Sequence, residues 1–315
     1  MLGKRLFPLS LFVLFPALLA AAQKPQKPLF TLHKVGKGVW AAISPDRSKA
    51  GANTGFVIGQ NGVAVIDSFE NVDAARELLA DIRKKTSLPI LFLINTHYHI
   101  DHMTGNGVFA AVGATIVANR NVRAWARTEN LKFFGPHPSA KDRAWVQSLV
   151  LPTVTYNNGI DLYLGRRELI VHHMPGHTGS DSIIVVPDAG VVFTGDLFWG
   201  HHLPNLIDAS TEPWIRTLDT LIAKYPTATF VPGHGSIGRL QDVEAFRGYL
   251  IFLRESVALG LKQGKSGDAL VAALRPSFVK HYGSWGFFDY FLKPDILYTA
   301  AELQGTKRLP GGRTN

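Results

Sequence analysis

Between Thr96 and His102 the chain reads Thr-His-Tyr-His-Ile-Asp-His, three imidazoles and a carboxylate within seven residues, too dense a cluster for ordinary packing. Immediately before it, Ile90-Leu91-Phe92-Leu93-Ile94 is a short apolar run entered through Pro89, the pattern of a buried strand. The cluster therefore falls at a strand's C-terminal end, where open α/β sheets place their ligand crevices. A turn there can aim His97 and His99 at one ion while Asp101 and His102 face a second. Neutral imidazole suits zinc and other borderline metals, and a carboxylate adds charge and accepts harder ions. A lone histidine is ordinarily a hydrogen-bonded core or surface residue. Clustering is what marks a metal site here.

Three later segments repeat the theme: Pro175-Gly176-His177-Thr178-Gly179-Ser180-Asp181, Thr194-Gly195-Asp196 and Pro232-Gly233-His234-Gly235. Each sets a His or Asp in a glycine-containing turn after a β-like run, where glycine lets the backbone approach an ion closely. With Asp67 closing the strand Val63–Ile66, these motifs resemble, in order, the five motifs of the metallo-β-lactamase superfamily. The resemblance spans Asp67 to His234, and the flanking elements also fit the family. It implies an α/β fold, the αββα sandwich of two mixed sheets flanked by helices.

Carried over from that family, His97, His99 and His177 hold one metal, Asp101, His102 and His234 hold the other, and Asp196 bridges them. Asp67 stands behind the metal loop and steadies it by hydrogen bonds. The implied cofactors are two Zn2+, a donor set that also suits Fe or Mn. The implied activity is a dinuclear hydrolase in which a metal-bridging hydroxide attacks the carbonyl of an ester, thioester, lactone or amide, with Asp101 orienting the nucleophile and relaying its proton. Two alternatives stay open: hydrolysis of β-lactam antibiotics, and a mononuclear iron oxygenase of the same fold. Lactamases of the superfamily commonly carry cysteine or serine where this chain has Asp196, whereas glyoxalase II and lactonases carry aspartate. Conversely, Pro204-Asn205-Leu206-Ile207-Asp208 resembles the corresponding lactamase segment. Trp199, His201 and His202, just after Asp196, are candidates for substrate contact at the pocket mouth.

At the N-terminus Lys4 and Arg5 precede a largely apolar run from Leu6 to Leu19, and Ala20-Ala21-Ala22 offers a small-residue cleavage site before Gln23. That order reads as a signal peptide over 1–22. A spanning anchor fits less well, because the run is shorter than the roughly 20 residues needed and Pro8, Ser10 and Pro16 interrupt it. The expectation is a periplasmic or secreted protein with no stable membrane anchor after cleavage. The chain has no cysteine, hence neither a disulfide nor a lipoprotein attachment point. Cleavage would leave 315 − 22 = 293 residues, enough for one sizeable core. Net charge is +9, and +7 without Lys4 and Arg5, yet the basic residues are scattered rather than striped. That argues against nucleic acid and for a small-molecule substrate as the partner.

Residues 23–28 read as a linker, 29–305 as one domain and 306–315 as a flexible tail. Asn53–Ile58 and Val63–Asp67 form a hairpin about Gly59-Gln60-Asn61-Gly62. From a cap at Asn71, the spacing of Val72, Ala75, Leu78, Leu79 and Ile82 predicts a helix. Gly105–Val112 and Asn119–Phe133 also read as helical, about a short strand at Thr115–Val117. Further β-runs feed His177, and a second hairpin, Ser182–Val186 with Val191–Phe193, echoes the first and ends at Asp196. A helix from Thr211, a strand Thr229–Val231, and helices from Val243, over Asp268–Leu274 and around Leu292–Leu303 complete the pattern. The aromatics from Trp285 to Phe291 read as core.

Overall fold

The computed structural model describes residues 28–312. The expected signal peptide and residues 23–27 of the linker lie outside them. Among the described residues, no helix is long and apolar enough to cross a membrane.

The first sheet orders seven strands by sequence: β1 (Thr31–Gly36), β2 (Val39–Ile43), β3 (Thr54–Ile58), β4 (Val63–Ile66), β5 (Ile90–Asn95), β6 (Thr115–Asn119) and β7 (Val154–Tyr156). Strands β1 to β4 pair antiparallel, and β4 to β7 run parallel. The second sheet takes the order β12-β11-β10-β9-β8, from β8 (Gly159–Leu164), β9 (Arg167–His173), β10 (Ser182–Val186), β11 (Val191–Gly200) and β12 (Thr229–Gly235). Only its β11–β12 pair is parallel. Both sheets are mixed. Helices α1 (Val72–Lys85), α2 (Ile100–Met103), α3 (Asn106–Ala110), α4 (Arg120–Trp125) and α5 (Ala140–Gln147) connect the first half, and α6 (Thr211–Lys224), α7 (Leu240–Lys262), α8 (Gly267–Tyr282) and α9 (Phe288–Leu303) the second.

Alternation along the strands places Val57, Ile66 and Ile94 of one sheet against Val171, Ile184 and Phe193 of the other. On the outer face of the first sheet, α1 packs Leu78 and Ile82 beside Phe109 of α3. On that of the second, α6 and α7 bring Trp214, Leu218, Phe246 and Leu250 onto Leu197 and Phe198. The result is an αββα sandwich, each buried large apolar side chain contributing about 1.5–3 kcal/mol. Helix α1 begins where Asn71 accepts a hydrogen bond from Asp73 N at 2.7 Å, and ends in Arg83, Lys84 and Lys85, which favour its negative pole.

Four local expectations are corrected. Asn119–Phe133 is not one helix: Asn119 ends β6 and caps α4, and a separate 3₁₀ turn covers Glu129–Phe134. The break is held by buried Asn130, whose amide donates to the carbonyls of Tyr98 and Ala126. Helix α8 runs on past Pro276 to Tyr282, because Leu270 and Phe278 both bury against the α7 layer. Helix α9 starts four residues before Leu292. Of the segment expected as tail, Lys307 and Pro310 are buried, and the Lys307 ammonium donates to the carbonyls of Leu206 and Ala209, while Thr306, Arg308 and Gly311 are exposed.

Candidate metal centre

All the candidate ligands stand at the same edge of the sandwich because parallel strands end there. Strand β5 delivers His97 and His99, and the single turn α2 carries Asp101 and His102. His177 lies in the β9–β10 connection, Asp196 in an irregular stretch of β11, and His234 near the end of β12. Two glycines are required for this convergence. A Cβ on Gly233 would lie 1.8 Å from Asp196 Oδ1, and Gly195, at φ +50°, is pressed against Thr96.

The side chains gather into two sets. Donor atoms of His97, His99, His177 and Asp196 all lie within 4.8 Å of one another, as do those of Asp101, His102 and His234. Asp196 reaches both. Its Oδ2 is 3.2 Å from His177 Nε2 and 3.8 Å from His97 Nε2, while its Oδ1 is 3.1 Å from His102 Nε2. Asp101 Oδ2 lies 3.2 Å from His234 Nε2.

A layer of carboxylates and hydroxyls behind the ligands sets which ring atom faces the centre. Asp67 accepts from Thr96 N at 2.8 Å and Thr96 Oγ1 at 2.7 Å, and its Oδ2 is 2.8 Å from His102 Nδ1. It does so from a left-handed backbone, φ +58°, a strained conformation for a non-glycine residue. Asp208 pairs with His99 Nε2 at 2.8 Å and also binds Tyr98 Oη and Lys132 Nζ. Asp181 accepts from Thr178 N and Oγ1, shaping the turn that carries His177. Ser180 and Ser182 are structural: one bonds Thr178, the other accepts from Tyr156 Oη.

The electrostatics of these groups call for cations. Burial pushes His97 and His177 down, the latter to about 3, so both are neutral donors. Burial also works against charge on Asp101 and Asp196, yet the surrounding imidazoles outweigh it, holding Asp101 at about 2 and Asp196 well below the usual carboxylate range. His234 is driven the other way, up to about 9, because Asp196 and Asp101 overcome the cost of its burial. Protons on His102 and His234 thus stand where a metal's charge belongs. Moreover, His97 Nε2, His102 Nε2, Asp196 Oδ1 and His234 Nε2 are buried and directed into no hydrogen bond, although oxygens lie near. Orphaned buried polar atoms are costly, and a divalent ion in each set would satisfy them. The donors fit such ions.

The centre opens on a cavity of about 970 Å³. His99, Asp101, Asp196 and His234 form its floor, Phe133, Phe134 and Trp145 one wall, and Arg47, Lys49 and Glu70 part of the rim. Trp199 lines it too: its ring stacks on His234 at 4.0 Å and its Nε1 donates to Asp196 O. The other two candidates for substrate contact lie elsewhere. His201 is exposed, 3.5 Å from Asp242, and His202 joins Asp46 at 2.8 Å while its Nδ1 meets Gly200 O; neither lines the cavity. The left-handed turn at His201 rotates both rings away. His172 and His173 point to opposite faces of β9, as alternation requires, and neither reaches the centre.

Sequence reasoning passed over Asp208 and Lys132. Their signal was faint: an aspartate just before a helix, and a single cation inside the apolar run Leu131–Phe134. Asp208 figures there only as the end of the segment 204–208, with no role of its own, and Lys132 carries no motif, since the two meet only through the fold.

Comparison with known proteins agrees with this geometry. The model of the metallo-beta-lactamase superfamily matches residues 49–234. A linear primary-alkylsulfatase from Pseudomonas sp. is 24% identical over 68% of this chain, which spans 48% of that longer protein. A type 2 metallo-beta-lactamase from Bacteroides fragilis is 25% identical over 61% of this chain and 72% of its own. An acyl-coenzyme A thioesterase from Bos taurus is 28% identical over 60% and 75%. Among solved structures, a metallo-beta-lactamase from Pontibacter korlensis superposes with a TM-score of 0.60 at 23% identity, over 70% of this chain and 99% of that one.

Proposed function

This chain belongs to the metallo-beta-lactamase superfamily, and we propose that it is a dinuclear metal-dependent hydrolase of a small-molecule ester, thioester, lactone or amide. The observation that carries the reading is Asp196, whose carboxylate reaches both ligand sets, Oδ2 lying 3.2 Å from His177, 3.8 Å from His97 and 3.5 Å from His234, and Oδ1 3.1 Å from His102. A single-iron oxygenase would need fewer ligands than the seven gathered here.

Zinc is the default for such a site, with iron and manganese compatible. Divalent ions held by these residues supply Lewis acidity toward a carbonyl oxygen and lower the pKa of water to about 7. The chain's own groups do the rest. Asp101, kept ionised and partly open to the cavity, accepts a hydrogen bond from the attacking water and orients it. Asn205 lines the cavity with its Oδ1 occupied by Ile207 N, which leaves its amide N–H₂ to donate to the charge developing on the substrate oxygen. Trp199 covers His234 and keeps water from that side of the ligand set.

The test is turnover by the zinc-loaded protein of a panel: an aryl ester, a thioester, a lactone, a chromogenic cephalosporin and a primary alkyl sulfate. Chelator-sensitive cleavage of the carbonyl esters or thioesters, lost in Asp101→Asn at full metal content, is the expected result. Cephalosporin cleavage alone would make the protein a β-lactamase instead. Oxygen consumption without hydrolysis would overturn the reading. We propose in addition that residues 1–22 direct export; a mature N-terminus at Gln23 in a periplasmic or culture fraction would support this, and an intact Met1 would refute it.

A further inference from the structure

The family match stops at His234, and α7, α8 and α9 lie beyond it. Even so, α9 returns to the metal centre: Phe287 at its N-cap and Tyr290 and Phe291 in its first turn line the same cavity as His99, Asp196 and His234. We propose that this turn is a binding subsite for an extended acyl or alkyl chain, and that Arg47 and Lys49 take an anionic group of the same substrate. The compound hydrolysed is then an amphiphilic anion. This rests on the hydrolytic reading above and adds to it the substrate's class.

Four observations converge. Phe287 has φ +57°, a left-handed backbone that costs a non-glycine residue about 1–2 kcal/mol. Two bonds enforce it, from Gly286 N to His201 O at 2.9 Å and from Leu203 N to Gly286 O at 3.0 Å. The strain aims its ring at the centre, 6.3 Å from Trp199 and 6.5 Å from His234, where a relaxed turn would not need to put it. Next, Tyr290 is 70% exposed although its ring packs edge-on at 4.7 Å against Phe291, so apolar surface is left uncovered at the mouth. Facing the same space, Phe133 and the Phe134–Trp145 pair supply further aromatic wall.

The fourth concerns charge. Arg47 and Lys49 stand on the β2–β3 loop, on the Asp101 side, and neither has an ion-pair partner among the described residues. Glu70 stands beside them on the rim, while the nearby Asp101 and Asp196 belong to the ligand sets, which leaves two cations to one uncommitted carboxylate there. Nor is this loop adrift. Asp46 binds His202 Nε2 at 2.8 Å, and the His202 ring lies 5.1 Å from Phe287. One histidine therefore clasps the cationic loop to the aromatic turn, joining the two halves of the subsite. About 970 Å³ is at the upper end of the roughly 300–1,000 Å³ usual for small-molecule clefts, enough for such an extended ligand.

Calorimetric titration of the metal-loaded protein with butane-, octane- and decanesulfonate tests this without any turnover. Kd should fall by about three- to fourfold per added methylene. In Tyr290→Ser/Phe291→Ser the gain from butane to decane should shrink at least about tenfold, with butanesulfonate unaffected. Tyr290→Ser alone, at an exposed position, should show part of the same loss if the double variant folds poorly. Arg47→Ala/Lys49→Ala should weaken all three probes alike, by about tenfold, and abolish their sensitivity to salt. Affinity independent of chain length, or unchanged in the aromatic variants, would overturn the chain subsite; full affinity without the two cations would overturn the anion site. Ester turnover without chain-dependent binding would sink this inference alone. Chain-dependent binding with no turnover of any kind would sink the hydrolytic reading alone.

Discussion

Asp208 and His99 are separated by 109 residues in sequence, and in the fold Asp208 Oδ2 lies 2.8 Å from His99 Nε2. The contact leaves His99 Nδ1, 3.0 Å from His177 Nε2, as the donor facing the first ligand set. Burial opposes charge on Asp208, but His99 and Lys132 outweigh it and hold its pKa well below the ordinary value. Asp208→Ala should therefore loosen the ring and weaken metal binding at that set by about 10- to 100-fold. Competition against a chromophoric chelator measures this. Lys132→Met should cost less, because Tyr98 and His99 still hold the carboxylate.

Asp67 plays the matching part for the second set through His102 Nδ1. Asp67→Ala also strands the buried Thr96 N–H, so a loss of about 1–3 kcal/mol in stability is expected along with the loosened imidazole. Elemental analysis should then find metal per chain falling from about two toward one. Undiminished occupancy would mean that Asp67 serves the backbone only.

Metal affinity should depend on pH through His234. In the metal-free fold its pKa is raised to about 9, because Asp196 and Asp101 overcome the burial that would lower it. A raised histidine pKa stabilises the metal-free fold fully below the unfolded value of about 6.5, and that contribution is lost as pH rises through about 9. An incoming ion must displace this proton. His102, its burial likewise outweighed by Asp196, Asp101 and Asp67 so that its pKa stands well above the ordinary value, must give up its proton too. Affinity at the second set should thus climb by at least about tenfold per pH unit from 6.5 to 9. A chelator competition at both pH values checks the slope, and a flat profile would contradict the protonated state.

Lys307 gives the opposite sign. Burial lowers its pKa to about 8, against about 10.4 unfolded, while its ammonium binds the carbonyls of Leu206 and Ala209 on either side of Asp208. The unfolded chain therefore holds a proton the fold releases between those values. Wild-type stability should rise with pH across that window, by roughly 2–3 kcal/mol, relative to Lys307→Met. Urea midpoints at pH 7.5 and 10 measure it.

Much of this molecule was legible from local pattern. Strand alternation and the Asn71 cap are local signals, and the ligands sit in glycine-containing turns whose chemistry shows at short range. The supporting layer was not legible in the same way. Asp208, Lys132 and Tyr98 become a network only when segments far apart in sequence close on one another. His201 and His202 lie beside Trp199 in sequence, but a left-handed turn sends the rings to Asp242 and Asp46, and no composition signals that rotation. The aromatics at 285–291, read as core, are partly so: Trp285 packs on Tyr249, whereas Phe287, Tyr290 and Phe291 open onto the cavity. Pro276 and Pro294 lie inside α8 and α9, where tertiary burial overrides propensity.

The most direct test of a bridged, two-ion hydrolase is to add zinc stepwise to the metal-free protein while following bound metal and ester hydrolysis in the same sample, for wild type and Asp196→Asn. Wild type should bind about two equivalents and reach full turnover only as the second is filled, whereas Asp196→Asn should lose affinity for both and most of its rate. Full turnover with one equivalent, or an Asp196→Asn protein with unchanged stoichiometry and rate, would contradict the bridging role of Asp196 and the dinuclear account built on it.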